Sequence, residues 1–230
     1  MPVISFAILA TMKTYTTYIF DLDGTITDTT AVWIQIFRDC LTRLDIDTSD
    51  IADDEIAKHT HAWSAMTNLG VAEADIPRLT TIAHSLANDR LPNAQLFPGA
   101  YETLQAMRDK GKRVAIFSTM DRPIFEPAIA HNNLGEVAEV LVAGTDVPNR
   151  KPAPDGIIKA LNDLGIDKKD YDTVMYMGDK DTDIQAAHNA GVDAILFYPP
   201  IHQEIYDKAT IMARQPEAVL ADWQELLKSL

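Results

Sequence analysis

The chain has 230 residues, 47% of them apolar, and a formal net charge of −14. That length suits one large domain, or a core carrying a smaller insertion. The charge argues against nucleic acid and acidic membranes as partners, because the phosphate term would be repulsive, and leaves an anionic small molecule only if a metal or local donors receive it.

Cys40 is the single cysteine, so no internal disulfide can form and the expected compartment is the cytoplasm. No apolar run approaches the roughly 18 residues of a membrane-crossing helix. Val3 to Ala10 is apolar, but no Lys or Arg precedes it and Lys13 follows it, the reverse of a secretion signal. The expectation is either that Met12 is the true start or that residues 1–11 are a loose tail.

Tyr15 to Phe20 is aromatic and β-branched and reads as a buried strand, ended by the polar run Asp21 to Thr30. Val32, Ile34, Phe37, Leu41 and Leu44 recur at near-helical spacing behind the candidate caps Asp28, Thr29 and Thr30. From residue 28 to residue 95 the pattern is helical with no strand, and Pro92 and Pro98 punctuate its end. Ala100 to Lys110 reads as a helix stopped by Gly111, and Arg113 to Phe117 as a strand. A helix near Phe125 to Asn132, a strand at Glu139 to Ala143, and a helix capped by Asp155 and closed by Gly165 follow. Thr173 to Met177 is a strand, Asp183 to Ala190 a helix, and Ala194 to Tyr198 a strand. Pro216 is placed in the first turn of a last helix carrying Val219, Leu220, Trp223, Leu226 and Leu227.

Strands alternating with helices predict an α/β fold, a parallel sheet with helices on both faces. The helical block at 28–95 interrupts the alternation as an insertion after the first strand, leaving 12–27 and 96–230 as the core. Ligands of such sheets sit at the carboxyl ends of the strands. That rule selects Asp21 and Asp23, Ser118 and Thr119, the region before Lys151, and Asp179.

Asp21 and Asp23, two apart in an extended segment, share a face, and a cation beside them would stabilise both as anions. Magnesium favours such hard oxygen ligands. Gly24 allows a backbone that aims N–H groups at an anion, and Thr25 adds a hydroxyl. Taken alone, Asp-Leu-Asp-Gly is equally an ordinary turn. Ser118 and Thr119 offer a hydroxyl and amides to a phosphate oxygen, though a helix cap is the commoner role for such a pair. Lys151 stands beside the stiff Pro152 and Pro154, with Arg150 as a competitor for the same role. Asp179 follows a strand, and Asp183 sits near a helix start where a carboxylate is favoured. Four polar clusters at four strand ends are what an active site requires.

These residues carry a resemblance. Ile19 to Thr25 (Asp-x-Asp-Gly-Thr after a hydrophobic run), Ser118 at a strand end, Lys151 in Lys-Pro-x-Pro, and Gly178-Asp179 with Asp183 match, in order, the four motifs of the haloacid dehalogenase superfamily, phosphatase branch. Phe97-Pro98-Gly99 also looks like this family's text. The resemblance implies a Rossmann-like core with a helical cap at 28–95, and hydrolysis of a small phosphorylated metabolite by a monomer or homodimer. It implies Asp21 as nucleophile, Asp23 as acid and base, and Mg²⁺ held by Asp21, the Asp23 carbonyl and Asp179, with Asp183 in support. Gly24, Thr25, Ser118, Thr119 and Lys151 are the implied substrate contacts. The dehalogenase branch lacks the second aspartate, so Asp23 argues against carbon–halogen cleavage. Thr119 departs from the Asn of many relatives. A phosphoglycolate phosphatase-like hydrolase is the leading expectation. The alternative is a phosphosugar mutase, disfavoured because Arg38, Arg43, Lys58, Arg78 and Arg90 form no clear phosphate cluster; a non-catalytic binding protein ranks last. His59, His61, Trp63 and His84 are candidate substrate contacts from the cap.

Overall fold

The computed structural model describes residues 13–58 and 63–230. The expected tail at 1–11, and His59 and His61, lie outside the described residues. Six parallel strands form the central sheet: β1 (Thr17–Phe20), β4 (Arg113–Phe117), β5 (Val140–Val142), β6 (Val174–Gly178), β7 (Asp193–Phe197) and β8 (Ala218–Leu220). Their order is β5-β4-β1-β6-β7-β8, with β1 in the middle.

The strands are continuous apolar runs because both faces of the sheet are covered. Side chains alternate strictly between two cores. Tyr18, Phe20, Ile116, Met175, Met177 and Phe197 enter one; Ile19, Ala115, Phe117, Tyr176 and Leu196 enter the other. The first core is closed by α4 (Ala100–Asp109), α5 (Arg122–His131) and α10 (Trp223–Lys228), and the second by α6 (Asp155–Leu164) and α7 (Asp181–Ala190). The chain runs from β1 outward to β4 and β5, then crosses back to β6 on the other side of β1. This reversal puts the crevice of the fold at the carboxyl ends of β4, β1 and β6.

The insertion contains α1 (Thr30–Arg43), α2 (Asp53–Lys58) and α3 (Ile76–Arg90). Its two ends are tied by a pairing the sequence reading did not contain: β2 (Thr27–Asp28) runs antiparallel to β3 (Gln95–Leu96). Two-residue strands carry no periodicity, so only the meeting of distant segments makes them visible. Asp28 accepts from the Thr30 amide at 3.3 Å, in the turn that leads into α1. Thr29 does not cap it; its hydroxyl turns to Asp23.

The C-terminus corrects the expected last helix. Val219 and Leu220 belong to β8, and the helix begins only at Trp223, capped by the Asp222 carboxylate, which accepts from the Glu225 amide at 2.9 Å. An apolar stretch of this length fits either element, and pairing with β7 decided for the strand. The segment 199–215, for which no element was expected, holds two short helices, α8 (Pro200–Gln203) and α9 (Lys208–Met212). No described helix is long and apolar enough to cross a membrane.

Candidate active site

Asp21 follows β1 directly, and its amide donates to the Met177 carbonyl at 2.9 Å, so the sheet ladder places this residue. Its side chain is buried. Lys151, from the loop before α6, reaches it with Nζ 2.5 Å from Asp21 Oδ1. The same ammonium lies 2.7 Å from Asp183 Oδ1, and the rings of Phe117 and Tyr176 flank it at 5.1 and 5.4 Å from their centroids. Asp183 sits in the first turn of α7, where its Oδ2 accepts from the Lys180 amide at 2.9 Å and its Oδ1 from the Tyr176 hydroxyl at 3.1 Å. Gly178 makes this approach possible: a Cβ there would stand 2.3 Å from Asp183 Cγ.

Asp179, at the end of β6, completes a group of three. Asp21, Asp179 and Asp183 each offer an oxygen within 4.8 Å of the others, and all three are buried. Burial pushes the Asp21 carboxyl up to about 8; Lys151 opposes the shift, and the neighbouring carboxylates of Asp183 and Asp179 add to it. Asp179 is raised chiefly by burial as well. Asp183 is lowered: burial opposes ionisation, but Lys151 and the Lys180 amide outweigh it. The Lys151 ammonium serves Asp21 and Asp183, and Lys180 opposes the shift at Asp179, so two ammonium groups face three buried carboxylates that cannot all ionise without a further positive charge. A hard divalent cation suits that oxygen set and that deficit, so the residues fit Mg²⁺.

Asp23 stands apart from the three. Its carboxylate accepts from the Thr29 hydroxyl and from the Trp33 indole N–H at 3.3 Å, which brings the first turn of α1 to this side chain. Ser118 is buried at the end of β4; its Oγ accepts from the Met120 amide at 3.1 Å, and its own proton has no acceptor among the described residues.

Two expected substrate contacts are engaged elsewhere. The Gly24 amide donates to the Thr27 carbonyl at 2.9 Å, so the turn itself takes the N–H that was expected to face an anion. The Thr25 hydroxyl points to Asp179 Oδ1 at 3.5 Å. Gly24 is needed for a different reason. Its φ is +83°, and a Cβ there would stand 2.5 Å from Asp179 Oδ2. Gly24→Ala is therefore expected to cost about 1–3 kcal/mol through the left-handed backbone and the displaced carboxylate. Urea denaturation measures it, and an unchanged midpoint would contradict this account. Thr119 presents its carbonyl to Arg150, at 3.1 Å. Arg150 also pairs with Asp121 and is half-exposed, so it does not compete with the buried Lys151.

Tyr176, Trp33, Thr29 and Tyr206 belong to the site and were missed. Tyr176 was hidden inside a strand, where an aromatic residue reads as core. Thr29 and Trp33, just before α1 and in its first turn, are the two that proximity to Asp23 in sequence could have flagged. His84 is exposed on α3, and the Trp63 side chain lies outside the described residues.

Known proteins resemble this chain in sequence and in fold. Residues 18–197 match the family described as haloacid dehalogenase-like hydrolase. The chain is 34% identical to the pyrophosphatase PpaX of Halalkalibacterium halodurans over 57% of its own length and 58% of that protein's, so it spans just over half of that relative. It is 25% identical to a phosphoglycolate phosphatase of Synechococcus elongatus over 92% of its length and 95% of that protein's. Among solved structures, CbbY of Rhodobacter sphaeroides in complex with phosphate shares the fold, with a TM-score of 0.68, 19% identity, and coverage of 92% of this chain and 96% of that one.

Proposed function

This chain belongs to the haloacid dehalogenase-like hydrolase family, and from that premise we propose that it is a Mg²⁺-dependent phosphatase that hydrolyses a small-molecule phosphomonoester through an aspartyl-phosphate. The observation that carries the reading is the buried meeting of Asp21, Asp179 and Asp183 around Lys151.

In this reading an Asp21 oxygen bonds to phosphorus as the bond to the leaving oxygen breaks. Asp23 gives its proton to that leaving oxygen. In the second half Asp23 takes a proton from water, the water oxygen bonds to phosphorus, and the bond to Asp21 breaks to release phosphate. The free Ser118 proton and the Lys151 ammonium bind phosphoryl oxygens, so charge is met by groups already in place. Thr29 and Trp33 orient Asp23 for both proton transfers. Mg²⁺, held by Asp21, Asp179 and the Asp23 carbonyl, would supply charge neutralisation at the phosphoryl group. Asp183 positions Lys151. The helical insertion acts as a cap that excludes water, and Trp33 is its link to the acid–base residue.

The relatives' names support a substrate in the phosphoglycolate class. A hydrolase is favoured over a mutase because Arg38 binds the Thr48 and Ile51 carbonyls and Asp53, Arg78 the Arg43 carbonyl, and Arg90 the Asp39 carboxylate. These cations brace the insertion and are not grouped for a second phosphate. The buried thiol of Cys40 suits a reducing compartment, which supports placement in the cytoplasm.

A panel of phosphomonoesters assayed with and without Mg²⁺ tests the proposal. Metal-dependent release of free phosphate is expected. Isomerised sugar phosphate from a hexose 1-phosphate, without free phosphate, would overturn it.

A further inference from the structure

Asp179 is fully buried, and few groups hold its carboxylate. The Thr25 hydroxyl reaches Oδ1 only at 3.5 Å. The Tyr206 hydroxyl donates to Oδ2 at 2.9 Å, the one hydrogen bond of ordinary length to this carboxylate among the described residues. Tyr206 comes from beyond β7, between α8 and α9, a segment that carries none of the matched motifs.

The phenol is itself held firmly. The Tyr206 amide donates to the His202 carbonyl at 2.9 Å, and the Tyr206 carbonyl accepts from the Tyr198 hydroxyl at 2.9 Å. Its ring packs on His202, with centroids 4.9 Å apart. His202 is buried against the rings of Phe97 and Phe197 at 5.9 and 6.2 Å. The hydroxyl thus projects from a braced segment onto one oxygen of a carboxylate and leaves the other oxygen nearly free.

We propose that Tyr206 is a positioning residue for the cation site, fixing the orientation of Asp179 so that its second oxygen is presented without further reorganisation. The inference rests on the Mg²⁺ reading above and extends it to a residue outside the four motifs. Groups that orient a metal ligand typically account for about 10–100-fold in metal affinity. A hydroxyl whose only role were to fill space would leave that affinity unchanged when replaced by hydrogen.

Calorimetric titration with MgCl₂ alone, without substrate, tests this on the wild-type chain, Tyr206→Phe and Tyr198→Phe. Tyr206→Phe is expected to raise the Mg²⁺ dissociation constant about tenfold, with the metal-free melting temperature nearly unchanged. Tyr198→Phe loosens the same segment but keeps the hydroxyl on Asp179, and is expected to bind Mg²⁺ within about threefold of wild type, below the range an orienting group commands. A Tyr206→Phe constant also within about threefold of wild type would overturn the proposal. So would an equal loss in Tyr198→Phe, which would assign the effect to packing. If the wild type binds no Mg²⁺, the metal reading fails and this inference with it. If the wild type binds and Tyr206→Phe is unaffected, only the inference fails.

Discussion

Asp21→Asn is expected to lower Mg²⁺-dependent phosphate release by about 10⁴-fold or more, with the melting transition retained. The replacement keeps the size of the side chain and can still receive a hydrogen bond from Lys151. It removes the anionic oxygen that bonds to phosphorus. The competing role for Asp21 is that of a metal ligand alone, and metal concentration separates the two. A lost ligand is offset by more Mg²⁺, whereas a lost nucleophile is not, so raising Mg²⁺ should restore nothing. Recovery of turnover at high Mg²⁺, or turnover that never fell, would remove Asp21 from the chemistry. The fold should survive because the backbone at this position is held by the sheet, through the Asp21 amide and Met177 carbonyl.

The metal-free protein is expected to lose stability as pH rises from about 4 to about 8, and Mg²⁺ to restore it increasingly over the same range. The folded Asp21 carboxyl titrates at about 8, against 3.8 for the free group. A raised acid pKa means that the folded state holds the proton more tightly. Its stabilising contribution is complete below the lower value and is lost on passing through the higher one. Each pH unit between the two contributes about 1.4 kcal/mol, so the total decline is several kcal/mol, on the order of 10 °C in melting temperature for a chain of this size. Asp179 acts in the same direction. Asp183, whose pKa is lowered, acts oppositely, but its contribution is already complete at neutral pH and is lost only in acid. Melting curves at pH 5 and pH 8, with and without Mg²⁺, measure the effect. Asp21→Asn should flatten the metal-free profile, which isolates this group from the histidines. An equal Mg²⁺ shift at both pH values would contradict the assignment, since the cation competes with the proton for the same oxygens.

Much of this architecture was legible because each strand is buried on both faces. A run such as Tyr18 to Phe20 or Val114 to Phe117 has no polar alternation to blur it. The polar residue that ends each run then marks the carboxyl edge of the sheet. Helix ends were equally readable where glycine takes a left-handed backbone, as at Gly165 and Gly191. Errors arose where local pattern is degenerate. Ala218 to Leu220 is apolar enough for helix or strand, and the free edge of β7 decided it. The β2–β3 tie depends on residues almost seventy positions apart and leaves no local trace.

The site divides the same way. Asp21, Lys151, Asp179 and Asp183, which the structure brings together, could be selected from the sequence because strand ends and motif spacing are properties of the linear chain. That Gly24 serves to admit Asp179, and that Thr25 turns to it, depends on the approach of β6 to the loop after β1. The C-terminal helix braces that loop, with the Trp223 indole donating to the Thr25 carbonyl at 3.1 Å across nearly the whole sequence. Tyr206 and Trp33 likewise meet their aspartates only once the chain has folded.

By itself, then, the sequence determined the strand order of chemistry: which side chains stand at the carboxyl edge, and that two carboxylates two residues apart begin the site. Tertiary structure alone decided how their charge is shared. Lys151 bridges Asp21 and Asp183, Tyr206 holds Asp179, and Thr29 and Trp33 draw Asp23 away from the buried three. Residue types and spacings are local quantities, but burial, and with it the pKa of a carboxylate, depends on everything that packs around it.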